Sequence, residues 1–395
     1  MTSDKKQKLR IVAICRFHFC KKCDILTWYG VDNAFLSMKF LSNLFGGSSS
    51  YLGVDIGTTS IKIVELEKSG SRSRLVNYGI LESYGHFERP NSVIQANALK
   101  ISEKEAIAIL SLLLKRVHFR TRNAIASIPS FASFLTMVEM PEMSEEETKR
   151  AMTFQIKQSI PLPLSEIAVD WMRVGQRDDE SGFSKQQILI IALPNETIAR
   201  YKAICKGAGL SLKALEVENI AFARSVVGAD VTPTAVVDLG ARSTNISIID
   251  QAFLKHNTQI DYAGDSLTQS IVKGLGISYR RAEDLKKQRG IAGGTGEYEL
   301  STLQTPFLDV ILQEIRRTIR DFEQRGGVSI QRVLLVGGGA NLIGLESYVE
   351  QQVGVPVALG NSLLYVDAPE RLNVVSKEIQ TRFATAIGLA IKNFT

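Results

Sequence analysis

One pattern occurs twice in this chain, and it constrains the fold more than any other feature. Tyr51 to Val64 reads YLGVDIGTTSIKIV: an apolar run, then Asp55, Gly57, Thr58, Thr59 and Ser60, then alternation through Ile61, Lys62 and Ile63. Such a run predicts a strand, a tight turn and a second strand. Ala235 to Ile248, AVVDLGARSTNISI, repeats it, with Asp238 in the place of Asp55, Gly240 in that of Gly57, and alternation again at Ile246 and Ile248. The two aspartates lie 183 residues apart. Stacked repeats have periods of about 20 to 50 residues, so this distance predicts two related halves.

The residue types in the repeat point to one chemistry. A glycine in such a turn lets backbone N–H groups approach an anion unobstructed, and neighbouring hydroxyls add donors. Aspartate at the preceding strand end repels phosphate but suits Mg2+, which keeps much of its water and takes only one or two carboxylates. Two such hairpins facing each other would clamp a di- or triphosphate and its metal. A third element, Val333 to Asn341 (VLLVGGGAN), is a buried-strand run ending in Gly337, Gly338 and Gly339, followed by a helical pattern through Leu342, Leu345 and Val349. A strand ending in glycines before a helix is a natural nucleotide contact. Neither the dinucleotide spacing G-x-G-x-x-G nor the P-loop G-x-x-x-x-G-K-[ST] occurs at these turns, so both common nucleotide folds lose support. The helix before the third element is expected over Pro306 to Arg325, with Thr305 as N-cap, Pro306 in the first turn and a core stripe from Phe307 to Phe322.

Composition narrows the class. The formal charge is +6, but residues 1–37 hold seven basic against three acidic side chains, which leaves +2 for the rest. No basic stripe with interleaved aromatics is present, so nucleic acid is not expected as a partner. No apolar stretch reaches the roughly 20 residues needed to cross a bilayer. Three of the four cysteines, Cys15, Cys20 and Cys23, sit in the basic leader and only Cys205 in the body, which fits a reducing, cytoplasmic setting. With His18 they form a weak metal-site candidate, since spaced ligand pairs flanking a loop are missing; the leader is expected to be disordered or to precede the true start at Met38. Met38 to Gly47 carries apolar residues at helical spacing, to rest on a membrane surface or a core edge. His86, His118 and His256 are scattered and suggest no triad.

The three glycine-bearing motifs, in this order and spacing, resemble the superfamily of actin, sugar kinases and heat-shock chaperones. The resemblance implies an α/β actin-like ATPase fold, two ribonuclease-H-like halves around a nucleotide cleft, with an inserted α+β subdomain in the first half. It assigns Asp55 and Asp238 to the metal. It assigns Gly57, Thr58, Thr59, Ser60 and Lys62, then Gly240, Ala241, Arg242, Ser243, Thr244 and Gly264, to the phosphates, and Gly337, Gly338, Gly339 and Asn341 to adenosine. Glu283 and Lys286, three apart in RAEDLK, match an E-x-x-K that contacts ribose and adenine. On their own they read as an exposed helix pair. Glu218 falls where a carboxylate orients the attacking water, and the helices Glu218 to Val226 and Ala384 to Ala390 match the two interdomain helices.

Between the hairpins the sequence predicts strands Ala124–Ile128 and Phe134–Met140, a helix Glu145–Ser159, strands near Val169–Val174 and Gln187–Leu193, and a helix Glu196–Gly207. The strings MPEMSEEETKRAMTFQIKQSIPLPLSEIAVDW, ILIIALPNETIARYKAICKGAGL and LEVENIAFAR resemble those of the PilM family of type IV pilus assembly proteins, related in plan to the division protein FtsA. The resemblance implies ATP and Mg2+ as cofactors, slow or absent hydrolysis, and a place on the cytoplasmic side of the inner membrane. It implies the N-terminal tail of PilN as partner, with other inner-membrane and motor components of the pilus, indirect membrane association, and room for a homo-oligomer. The expected division is a leader over 1–50, a first half over 51–122 and 208–228, an insertion over 123–207 and a second half over 229–395. Two other readings stand beside it. A sugar kinase would need a polar substrate pocket in place of the Ile-, Phe-, Met- and Leu-rich insertion. An FtsA-like filament protein would be expected to add a C-terminal amphipathic helix, and none follows Ala390 here.

Overall fold

The computed structural model describes residues 10–13, 50–70, 72–82, 101–178, 181–291, 298–326, 328–369 and 376–394. The chain runs β1 (Arg10–Ala13), β2 (Ser50–Ile56), β3 (Ser60–Ser69), β4 (Arg72–Glu82), α1 (Glu103–Val117) and β5 (Asn123–Ile128), then β6 (Phe134–Pro141), α2 (Glu145–Ser159), β7 (Ile167–Asp178) and β8 (Ser184–Pro194). It continues through α3 (Asn195–Gly207), β9 (Ser211–Val217), α4 (Glu218–Val226), β10 (Thr234–Leu239), β11 (Thr244–Asp250), β12 (Phe253–Ile260), α5 (Gly264–Leu275), α6 (Tyr279–Arg289) and α7 (Tyr298–Gly326). It ends with β13 (Arg332–Val336), α8 (Leu345–Val353), β14 (Val357–Leu359), β15 (Val366–Asp367), α9 (Ser376–Arg382) and α10 (Ala384–Ile391).

The duplication seen in the sequence is a duplication of topology. The first sheet contains the order β4-β3-β2-β5-β9 and the second is β12-β11-β10-β13-β14. In each, three antiparallel strands are followed by two parallel ones. In each, the repeated aspartate faces a polar residue across the hairpin: Asp55 opposite Lys62, Asp238 opposite Asn245. Strand alternation then distributes the faces. Leu52, Val54 and Ile56 of β2 pack under α1 and α3 with Leu110, Tyr201 and Ile204, while Gly53 on the opposite face meets α10, where an added Cβ would strike the Ala386 carbonyl oxygen. A third sheet, β6-β8-β7, carries α2 on one face.

Four expectations need correction. The insertion is narrower than residues 123–207: β5 lies between β2 and β9, and α3 belongs to the core under β2, so only Phe134–Pro194 forms the separate sheet. The second half is not all of 229–395, because β15 pairs with β4, and Phe383, Ala386 and Ile387 pack with Val64, Leu66 and Tyr78 of the first half. The helix before β13 begins at Tyr298, and Pro306 sits inside it. Thr305 is no N-cap; its hydroxyl donates to the Ser301 carbonyl within the helix at 2.8 Å. The N-terminal turns are held by Gln304, fully buried and bonded to the Gly290 carbonyl at 3.1 Å, so tertiary contacts override the usual place of proline. The leader is not without structure throughout: Arg10–Ala13 pairs antiparallel with β4. The Cys15, His18, Cys20 and Cys23 cluster and Met38 to Gly47 lie outside the described residues.

Candidate functional site

The two hairpin turns are built alike. The Gly57 N–H donates to the Ser60 carbonyl at 3.0 Å and the Gly240 N–H to the Ser243 carbonyl at 3.1 Å. A Cβ on Gly57 would lie 3.0 Å from that Ser60 oxygen, a tight contact, and one on Gly240 would lie 2.8 Å from the Ser243 oxygen, a clash with backbone, so glycine lets both turns close this tightly. Closing the turn this way leaves the middle N–H groups over: those of Thr58 and Thr59, and of Ala241 and Arg242, find no acceptor among the described residues. The second loop is fixed from behind by α5, whose Gly264 and Asp265 N–H groups take the Gly240 and Ala241 carbonyls at 3.2 and 2.7 Å. Free backbone donors in both turns, with the carbonyls of the second satisfied by α5, suit an anion.

Carboxylates gather beside these donors. Asp55 accepts from Lys62 Nζ and from Ser127 Oγ, each at 2.9 Å. Burial pushes Asp238 up from 3.8 to about 6, with the Asp55 charge adding to it and Lys62 opposing. Burial pushes Glu218 up from 4.5 to about 8, helped by the Asp238 and Asp55 charges, while hydrogen bonds from Ser130 pull the other way. The Ser130 N–H and Oγ reach one Glu218 oxygen at 2.9 and 3.0 Å, and Asn245 Nδ2 reaches it at 3.1 Å. Glu218 is therefore tied to the root of the insertion and to the second hairpin together. Three acids and one lysine form a cluster that lacks positive charge. Among the described residues no three His, Cys, Asp or Glu side chains are close enough to ligate a metal.

Gly337 completes the cluster. It has φ of +85°, and a Cβ there would collide with Asp238 Oδ1 and the Leu239 carbonyl, so only glycine lets the third loop lie against the second aspartate. Gly339 is pressed on Leu239, whereas Gly338 faces open space with nothing within 4 Å of its missing Cβ. Asn341 Nδ2 donates to Thr381 Oγ1 at 2.6 Å and so anchors the loop to α9.

Most of the residues singled out in the sequence come together here, but some serve as supports. Thr244 is fully buried and donates to the Tyr262 carbonyl at 2.6 Å. Gly264 lets α5 sit on the second loop. Lys286 is buried at the base of that loop, bonded to the Gly264 carbonyl at 2.8 Å, Thr268 Oγ1 at 2.7 Å and Glu283 at 2.7 Å. Burial works against its ammonium and against the Glu283 carboxylate, which Lys286 and Thr268 hold below its usual range. Neither is the exposed pair that the helix spacing suggests. Ser60 and Ser243 supply the carbonyls that close the turns. Arg242 has no ion-pair partner among the described residues.

Ser127, Ser130, Asn245 and Gln259 were not foreseen. Asn245 was within reach, since it stands seven residues after Asp238 as Lys62 does after Asp55. The others carry no local signal. Ser130 and Phe131 line an open cavity of about 270 Å3 together with Asn257, Gln259 and Asp261 near β12.

Comparison with known proteins bears on the family and the fold. The family model described as type IV pilus assembly protein PilM matches residues 53–394. The cell division protein FtsA of Enterococcus hirae is 22% identical over 354 residues, 78% of this chain and 77% of that protein. FtsA of Buchnera aphidicola subsp. Baizongia pistaciae is 22% identical over 390 residues, 86% and 89% of the two chains. Among solved structures, a PilM–PilN type IV pilus biogenesis complex superposes with a TM-score of 0.72 at 22% identity, covering 87% of this chain and 98% of that one. MreB 5 of Spiroplasma citri bound to AMPPNP superposes with a TM-score of 0.50 at 13% identity, over 87% and 96%. The fold is that of the actin-like ATPases. Among the described residues no helix is long and apolar enough to cross a membrane.

Proposed function

Because this chain belongs to the PilM family of type IV pilus assembly proteins, we propose that it is an ATP-binding scaffold of the pilus assembly complex, peripheral to the inner membrane, whose affinity for the PilN N-terminal tail depends on nucleotide. The observation that carries the nucleotide reading is the pair of matched turns with open N–H groups beside Asp55 and Asp238, capped by Gly337.

In this reading Thr58, Thr59, Ala241 and Arg242 donate to phosphate oxygens, and Lys62 stands between the two aspartates. Asp55 and Asp238 would hold Mg2+ through its water shell, and the ion would supply the positive charge that the acidic cluster lacks. Gly338 gives a nucleotide close approach to backbone. Glu218, protonated at neutral pH in the nucleotide-free protein, holds a water in place better than it removes a proton, which supports slow or absent turnover. The partner part of the reading is supported by the likeness to a PilM–PilN complex. A short tail that orders on binding would couple to nucleotide through any difference in affinity between open and closed forms, typically about 1 to 3 kcal/mol.

The test is calorimetry of Mg-ATP binding to the full chain and to Asp55→Ala and Asp238→Ala. Each substitution is expected to weaken binding by about tenfold or more, on the scale of a charge-assisted contact. Unchanged affinity in both variants would refute the site. Fluorescence anisotropy with a labelled PilN-tail peptide, with and without Mg-ATP, tests the partner reading separately.

A further inference from the structure

The inserted sheet is rooted in one half of the molecule and docked on the other. Its two chain connections lead from β5 and into α3, both first-half elements. Its face away from α2 packs instead on the second half: Val174 and Leu189 share a core with Ile249 and Leu254, and with Phe222 of α4. Two basic side chains fasten this contact. Lys255 of β12 donates from Nζ to the Val174 carbonyl at 2.8 Å and to Gln187 Oε1 at 2.7 Å. Arg177 Nη1 donates to the Arg325 carbonyl at 2.5 Å, in the last turn of α7, where helix carbonyls lack partners and favour a cation.

The socket for Lys255 is built into β7. The register with β8 slips between Arg173 and Gly175, leaving Val174 as the extra residue of a bulge. Bulged residues drop out of the ladder, so their backbone groups are available to other partners. The next residue is glycine, and a Cβ there would strike Lys255 Nζ. Burial disfavours the ammonium, with Asp250 and Glu139 partly offsetting this. Hydrophobic packing alone would not select a half-buried lysine at the centre of this interface; its two acceptors must compensate the desolvation.

We propose that the Lys255–Val174 contact is a latch that couples the inserted sheet to the nucleotide-binding second half, so that movement of that half on nucleotide binding shifts or frees the insertion. The coupling rests on the nucleotide reading above; the docking itself does not. A hinge motion between halves must either drag the insertion against its first-half root or break this contact, and the directional bonds of one lysine to a bulged carbonyl and to Gln187 give two discrete arrangements, latched and free.

The test is hydrogen exchange of the full-length protein, with residues 167–178 as reporter and the β2–β3 hairpin as reference. In nucleotide-free protein, Lys255→Met is expected to speed exchange in 167–178 by about tenfold, the scale of one lost hydrogen bond to a charged group, with the reference unchanged. Gly175→Ala, which keeps the lysine but fills its seat, is expected to do the same. If Lys255→Met loses protection everywhere it has unfolded, and Gly175→Ala decides. Reporter exchange equal to wild type in Gly175→Ala overturns the latch. Mg-ATP is expected to change reporter exchange in the wild type and not in the variants; an equal response in all three proteins overturns the coupling. Absence of Mg-ATP binding to the wild type by calorimetry overturns the nucleotide reading and the coupling with it, while the nucleotide-free comparison still decides the docking.

Discussion

Glu218 and Asp238 are held protonated above their ordinary range by burial, helped by the Asp238 and Asp55 charges at Glu218 and by the Asp55 charge at Asp238. The folded protein therefore binds more protons than the unfolded chain between about pH 4, the unfolded value, and about pH 6 for Asp238 or about pH 8 for Glu218. The stabilisation these two groups contribute is greatest below this window and declines as pH rises through it, by at most about 1.4 kcal/mol per pH unit for each proton involved. Thermal melts of nucleotide-free protein from pH 5 to pH 8 should show a falling Tm, and Glu218→Gln should flatten the slope at the alkaline end. A melt independent of pH would mean that these carboxyls are not desolvated. Asp55 and Asp238 were legible in the sequence because they recur at fixed positions in a repeat, whereas Glu218 was reached only through the family resemblance. Ser130 was not, since what gives it a role is the distant Glu218, 88 residues on, and Gln259, 129 residues on. Glu283 and Lys286 were legible as a pair, but their burial against α5 was not, because spacing on one helix says nothing of what packs on it.

Two helices, α4 and α10, cross where the halves meet, and their approach is set by missing side chains. A Cβ on Gly388 would strike the Ala221 carbonyl oxygen, a backbone atom that cannot step aside. Around the crossing Arg224 forms paired bonds of 2.7 Å with the buried Glu216 and one of 2.9 Å to the Gly388 carbonyl, and Lys392 closes on Glu216 at 2.8 Å. Gly388→Ala should cost about 3 kcal/mol or more in urea unfolding, at the upper end of overpacking penalties. Gly338 offers the contrast, with φ of −67° and open space around it. Gly338→Ala should leave stability within about 0.5 kcal/mol yet weaken Mg-ATP binding, because its new methyl would stand where the nucleotide approaches. A stability loss without an affinity loss would remove Gly338 from the site. At this scale the sequence was legible wherever local pattern decides: α2 starts after Ser144 with the Ser-x-x-Glu capping box and spans the expected residues. It misled at Pro306, where the first-turn preference of proline is a local rule and Gln304 and Leu300, buried two and six residues earlier, make the outcome tertiary.

The two halves share a topology but not separate stretches of chain. After completing the second sheet at β14, the backbone returns to pair β15 with β4 and to lay α10 across β2 and β3, where Phe383, Ala386 and Ile387 cover Val64, Leu66 and Tyr78. Sequence could announce the duplication, since turn chemistry and alternation are local, but not this return, which depends on strand pairing about 290 residues apart. The physical consequence is cooperativity. Melting the second half releases the segment that covers one face of the first sheet, and melting the first removes the surface on which α10 is ordered. Each half is then the other's core, and the inserted sheet, packed on α4 and β12, adds to the same linkage. Urea unfolding of nucleotide-free protein should therefore be one transition, with coincident midpoints for exchange at β2 and at β10. Mg-ATP at about a hundred times its dissociation constant should raise both midpoints together, by the equivalent of about 2.7 kcal/mol. If β10 gained protection while β2 did not, the nucleotide would be held by one half alone, and the returning segment would pack without transmitting stability.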